Sequence, residues 1–299
     1  MRWKGRKQSS HVEDRRGQPP QRGSGGNAAL GALLFGLFRK GNRKTKILLI
    51  LGGVVACFMF NINPVNLLMS PTGQPASLSS SPADPEMKAY LATMKSDNEI
   101  VWSKILAAHG KSYRPANMVI YTGRTQTAGG TADARMGPFY MPADETIYID
   151  PSFFQEMRDK FGATGDFAQA YVVAHEVGHH IQHLLNLTDK VHSQRGKISE
   201  SEYNKLSVRL ELQADFLAGV FAHHADEQFQ FLEHGDIDEA IRCAEAIGDD
   251  RLQKMTRGEI QPDLFTHGTS AQRKRWFMKG YKSGQLSEGD TFTIPYDQL

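Results

Sequence analysis

The stretch FAQAYVVAHEVGHHIQHLLNL, from Phe167 to Leu187, restricts the fold of this 299-residue chain more than any other. Its apolar residues (Tyr171, Val172, Val173, Ala174, Val177, Ile181, Leu184) cover too much of a helical surface for one solvated helix. A helix from about Asp166 to Leu187 therefore belongs inside a core. On it lie His175, Glu176 and His179, an HExxH pattern. Four residues make just over one turn, so the two imidazoles share a face and can bind one metal ion, with Glu176 beside it. Gly178 costs about 1 kcal/mol against alanine in a helix. Its missing side chain would let another segment come close to the metal.

A catalytic zinc ion takes three protein ligands and keeps one position open. A metzincin third ligand would need glycine at 182 and histidine at 185, where this chain has Gln182 and Leu185. His183 lies about 12 Å along the axis from His175, and His180 points about 100° away from His179. Both are expected to be supporting or surface residues. Glu211 is the better candidate, standing 32 residues beyond His179 in ELQAD. Asp215 falls one turn later on the same face, where it could accept the free imidazole N–H of a ligand histidine. A Glu/Asp pair on a helix is ordinarily a solvated face. This one sits on a mostly apolar helix (Leu210, Leu212, Phe216, Leu217, Val220, Phe221) downstream of HExxH, which favours a functional role.

Around these two helices the pattern is mixed α+β. Glu86 to His109 reads as a helix, and Met118–Tyr121 and Thr146–Asp150 as strands. Ser199 with Glu202 opens a long helix to about His224, Asp236 to Ile247 forms another, and Thr269 with Gln272 opens the last.

Charge divides the chain. The formal net charge is +2, but the first 46 residues carry 12 Lys+Arg against two acids, leaving 23 against 31 in the remainder. Residues 1–28 have the composition of a disordered segment, and residues 1–46 read as a disordered basic tail. Arg39, Lys40, Arg43, Lys44 and Lys46 then precede an apolar run from Ile47 to Phe60. With the extension to Met69, the span is just long enough for one crossing. A cleaved signal peptide and a soluble chain are the competing readings, but the long basic preamble and the exit NINPVNLLMSPTGQPAS favour an uncleaved signal anchor over residues 47–69. The positive-inside rule then puts the N-terminus in the cytoplasm and the domain across the cytoplasmic membrane, extracytoplasmic, in a single pass. Positive charge beside such a span is explained by topology and anionic lipid, so no nucleic-acid partner is expected. Residues 70–84 are a Pro/Ser-rich linker, and the domain is expected over 85–299. The two cysteines, Cys57 and Cys243, cannot build a disulfide framework.

HEVGHHIQ, followed by ELQADFLAGVFAHH and FTHGTSAQR, resembles the bacterial neutral zinc metallopeptidase family (YpfJ type), and more distantly the thermolysin-type zincins with HExxH plus ExxxD. MRWKGRKQSSHVEDRRG and GPFYMPADETIYID fit the same family, so the resemblance covers almost the whole chain. It implies a zincin-like α+β domain, with a small sheet, an active-site helix and a helical C-terminal part. It implies further that His175, His179 and Glu211 bind one Zn2+ per chain and that Glu176 is the catalytic base. Related sequences often carry cysteine where this chain has Gly129 and Met141, which leaves the rigidity of the loop from Thr122 to Pro142 without that support.

The resulting expectation is a membrane-anchored zinc metallopeptidase acting on a peptide or protein. His267 is the candidate second donor to the oxyanion, and Arg273 a candidate substrate-binding residue. The strand containing Tyr148 is either a sheet edge on which a peptide pairs or an ordinary core strand. Two rivals stand beside it. A hydrolase of non-peptide or formylated substrates would need an upstream cysteine ligand, and the upstream cysteine is Cys57, in the expected span. A zinc-fold membrane scaffold or chaperone-like protein would have no need of Glu176.

Overall fold

The computed structural model describes residues 1–18 and 84–299, which belong to one compact unit. Four strands form its main sheet, in the order β1 (Val12–Asp14), β2 (Asn117–Ile120), β6 (Thr146–Ile149), β5 (Phe139–Met141). The first three are parallel, and β5 runs antiparallel to β6. Between β2 and β5 the chain makes a separate hairpin, β3 (Arg124–Thr127) with β4 (Gly130–Asp133). The helices are α1 (Pro85–Ala108), α2 (Ser152–Phe161), α3 (Asp166–Leu184), α4 (Leu187–His192), α5 (Glu200–Phe229), α6 (Asp236–Ala246), α7 (Asp249–Arg257) and α8 (Ser270–Ser283). A mostly helical α+β domain with a small sheet is thus what the sequence encodes.

The core explains the order of these elements. Met118, Ile120, Ile147 and Ile149 turn one face of the sheet toward a continuous apolar cluster with α1, α3 and α5. Val119, Tyr121 and Tyr148 turn the other face to a smaller cluster. α3 is buried over nearly its whole length, as its unbroken apolar surface requires. It stops at Leu184 because Asn186 takes the left-handed conformation, φ 59°, so the expected helix to Leu187 divides into α3 and α4. Both expected capping boxes form, Ser199 with Glu202 and Thr269 with Gln272. α5 and α8 cross in close contact, since a Cβ on Gly219 would collide with the Phe277 carbonyl and one on Gly280 with that of Phe216.

Residues 1–18 depart from the disordered tail that their composition suggests. β1 pairs with β2 in register Val12 to Met118 and Asp14 to Ile120. Trp3 packs edge-on against Tyr90 at 5.2 Å. Arg6 lies over the Phe229 ring and pairs at 2.7 Å with Asp97, which is almost fully buried. Ser9 donates to Glu99 at 2.7 Å. The basic residues that read as a solvated tail are largely partnered: Arg15 with Glu13 and Arg16 with Asp14. A three-residue strand is too short for periodicity to reveal. The folded unit therefore does not begin at Pro85. No helix among the described residues is long and apolar enough to cross a membrane. The expected anchor, residues 47–69, and nearly all of the linker lie outside the described residues.

Replacing Arg6 by alanine leaves the Asp97 carboxylate buried without its cation, which is expected to cost about 3 kcal/mol. Thermal melting of the full chain checks this, and an unchanged melting temperature would show that residues 1–18 contribute no such contact.

Candidate metal centre

α3 and α5 bring the expected ligands together. His175 Nε2 lies 3.3 Å from Glu211 Oε2, and His179 Nε2 lies 3.4 Å from Glu211 Oε1. The ligand atoms of these three residues all fall within 4.8 Å of one another. Gly178 permits this approach, because a Cβ there would sit 3.0 Å from the Ala214 carbonyl oxygen and 3.1 Å from its Cα. The close segment is α5, the helix that carries Glu211.

Both histidines are fixed by bonds on their far nitrogens. His175 Nδ1 is 2.8 Å from Asp215 Oδ1, and His179 Nδ1 is 2.9 Å from Gln182 Oε1. Each Nδ1 donates to an oxygen acceptor, which leaves both Nε2 atoms directed at the Glu211 carboxylate. This donor set, two imidazoles and a carboxylate with the outer nitrogens of the rings already engaged, fits a zinc-like dication, for which His175 would have to give up a proton.

The electrostatics agree. Burial alone would lower the His175 pKa, but Asp215 and then Glu211 outweigh it and raise it to about 10. Burial pushes Glu211 up, yet His179 and His175 hold it well below the usual carboxylate range. The pocket is thus arranged to surround positive charge. Glu176 is buried, which raises its pKa, partly offset by His179 and His175.

Asp215 anchors the arrangement, as expected, with partners the sequence did not reveal. Fully buried, it accepts from Tyr171 Oη and from Arg273 at 2.8 and 3.0 Å. Arg273 and His175 together outweigh the burial of Asp215 and hold its pKa below normal. Arg273 was expected to bind substrate; it lines the cleft but is 1% exposed and committed to Asp215. Its role here is to neutralise the carboxylate that orients His175.

The site opens into a cleft of about 470 Å³, lined among others by Phe139, Tyr140, Glu176, Glu211 and His267. His267 is half-exposed and 3.2 Å from Asp249. Burial would lower its pKa, but Asp249 and Glu211 outweigh that and raise it. Asp249 also accepts the backbone N–H groups of Thr266, His267 and Gly268, which fixes the loop. Tyr148 is not brought to the cleft. β6 is an interior strand, and Tyr148 stacks on Phe139 at 5.1 Å and donates to Asp144 on the other face. The sheet edge along the cleft is β5.

Neither remaining histidine reaches the centre. His183 lies 3.6 Å from Glu145. His180 is fully buried rather than on the surface: its Nε2 donates to the Arg114 carbonyl at 2.6 Å and its Nδ1 accepts from Tyr140 Oη at 2.9 Å. Burial lowers its pKa to about 4, so it is neutral. Gly129 and Met141, the two positions that the resemblance singles out, are neighbours, a Cβ on Gly129 falling 2.8 Å from Met141 Cε.

A buried helix presenting two oriented histidines to a glutamate on the next long helix is the layout of an HExxH-plus-glutamate metal site. The chain belongs to a zinc metallopeptidase family, whose model, described as "Putative neutral zinc metallopeptidase", matches residues 1–292. It is 43% identical to the Escherichia coli (strain K12) protein YpfJ, over 98% of this chain and 99% of YpfJ. It is 40% identical to Mycobacterium tuberculosis Rv2575 over 205 residues, 65% of this chain and 67% of Rv2575. Both relatives are named as uncharacterized proteins. No solved structure matches the chain.

Gln182 is the least obvious member of the site. Replacing it by methionine removes the acceptor that orients His179 and is expected to weaken zinc binding about 10- to 100-fold. Competition with a chromophoric chelator measures this, with circular dichroism confirming that the fold is kept.

Proposed function

We propose that the protein is a zinc-dependent peptidase in which His175, His179 and Glu211 hold the metal and Glu176 is the general base. The convergence of the two Nε2 atoms on Glu211, beside Glu176 in an open cleft, is the observation that carries this reading. Zinc bound there acidifies water and polarises a carbonyl.

The chain's own residues divide the remaining work. Glu176, with its pKa raised by burial, accepts the proton of the attacking water and returns it to the leaving amine. His267, whose pKa Asp249 and Glu211 raise, donates to the oxyanion that develops in the transition state. Asp215, Arg273 and Tyr171 hold the His175 ring and keep its buried surroundings charge-balanced. The outer edge of β5 pairs with no strand among the described residues, and Phe139 and Tyr140 place it along the cleft. An extended peptide can pair with that edge through its backbone. This favours a peptide over a compact non-peptide substrate. Contact with lipid through residues 47–69 remains part of the proposal, resting on their apolar sequence and basic flank.

Glu176→Gln in the full chain is expected to keep about one zinc per chain and to lose cleavage of an unstructured protein such as casein. Metal content with a fluorescent casein assay checks both. A parent chain that binds zinc and cleaves nothing would instead support the scaffold reading.

His267→Ala is expected to lower kcat about 10²- to 10³-fold with little change in KM. Because the His267 pKa is raised and the cation is the active form, activity falls as pH rises through that pKa. Asp249→Asn removes a cause of the shift, so the alkaline limb of the kcat/KM profile moves to lower pH.

A further inference from the structure

We propose that residues 1–18 and the metal-binding unit lie on the same, cytoplasmic, side of the membrane. This inference does not depend on the catalytic reading.

Three contacts carry it. β1 is hydrogen-bonded to β2, with Met118 N–H donating to the His11 carbonyl at 2.8 Å and Arg15 N–H to the Ile120 carbonyl at 2.7 Å. Arg6 pairs with the buried Asp97 of α1. Arg16 Nη2 donates to the Asp84 carbonyl at 2.9 Å, so the points at which the chain leaves the unit and returns to it touch each other. Paired strands stand about 4.8 Å apart, whereas the hydrocarbon core of a bilayer is about 30 Å thick. Two segments joined in one sheet cannot lie on opposite sides of it. That sheet is incompatible with a cytoplasmic N-terminus and an extracytoplasmic domain.

The side follows from charge. The first 46 residues hold 12 Lys+Arg against two acids, with five of the cations between Arg39 and Lys46, directly before Ile47. Flanking positive charge of this kind stays in the cytoplasm. Residues 1–18 stay with it, and through β1 so does the unit carrying His175, His179 and Glu211.

The test uses the full chain in a bacterial host, in a Cys57→Ser background where Cys243 is buried. Gln8→Cys and Ser287→Cys each place one thiol at an exposed position, one in the N-terminal segment and one near the C-terminus. Intact spheroplasts and lysed ones are treated with a membrane-impermeant maleimide, lysis defining full labelling. Protection of both thiols until lysis is the expected result. Labelling of Ser287→Cys alone in intact spheroplasts would overturn the shared side and restore a single crossing, and labelling of both would overturn the cytoplasmic assignment.

Discussion

The carboxylate of Asp215 is the fixed point of the structure. Three elements meet at it, with Tyr171 and His175 from α3 and Arg273 from α8 reaching it on α5. A buried charge is costly unless it is paired and its lone pairs are used, and here each Asp215 oxygen has a hydrogen-bonded partner. The same bonds that satisfy the charge set the tautomer of His175 and its aim at Glu211. The helices also approach closely at Gly178 and at the Gly219–Gly280 crossing. Orientation of the site and packing of the core are therefore one requirement, met by the same side chains.

The sheet serves the site less directly. β5 lines the cleft through Phe139 and Tyr140, and the Tyr140 hydroxyl is tied to His180, the histidine that immediately follows His179 in the sequence. Because His180 is neutral and bonded on both nitrogens, it holds α3, the edge strand and the Arg114 segment together without placing a charge beside the proposed metal ligands. Adjacent histidines thus do different jobs: one faces the metal position, and the other fixes the strand beside it.

How much of this could be read from the sequence depended on whether a residue's partner lay at helical spacing. His175 and His179, and Glu211 and Asp215, stand one turn apart on strongly apolar helices, so periodicity placed each pair on a shared face, and the family resemblance joined Glu211 to the histidines. The strands at Met118 and Thr146 were visible as β-branched runs between breakers. Asp249 beneath His267, Gln182 behind His179 and the true role of Arg273 were not visible in this way. Asp249 and Arg273 depend on tertiary contacts, between a loop and a helix start and between α8 and α5, whereas Gln182 does stand at helical spacing from His179, but a neutral amide there looks like any solvated side chain. Arg273 read as a candidate substrate-binding residue because nothing local to it is acidic, and the strand of Tyr148 stayed open between edge and core because a strand's neighbours are not written in its own sequence. Residues 1–18 were misread for a related reason, their acid partners Asp97 and Glu99 lying on α1, far along the chain.

The position of Arg273 also bears on the order in which the protein can be completed. Chains emerge from the ribosome N-terminus first, so α3 and α5, with every proposed metal ligand, are made before α8. Until Ser270–Ser283 has been synthesised, Asp215 has no guanidinium to balance it, and the pocket into which α3 and α5 would close contains an uncompensated carboxylate. The last helix thus acts as a late assembly step: a nascent chain can own all three ligands and still lack the charge balance that holds them in place.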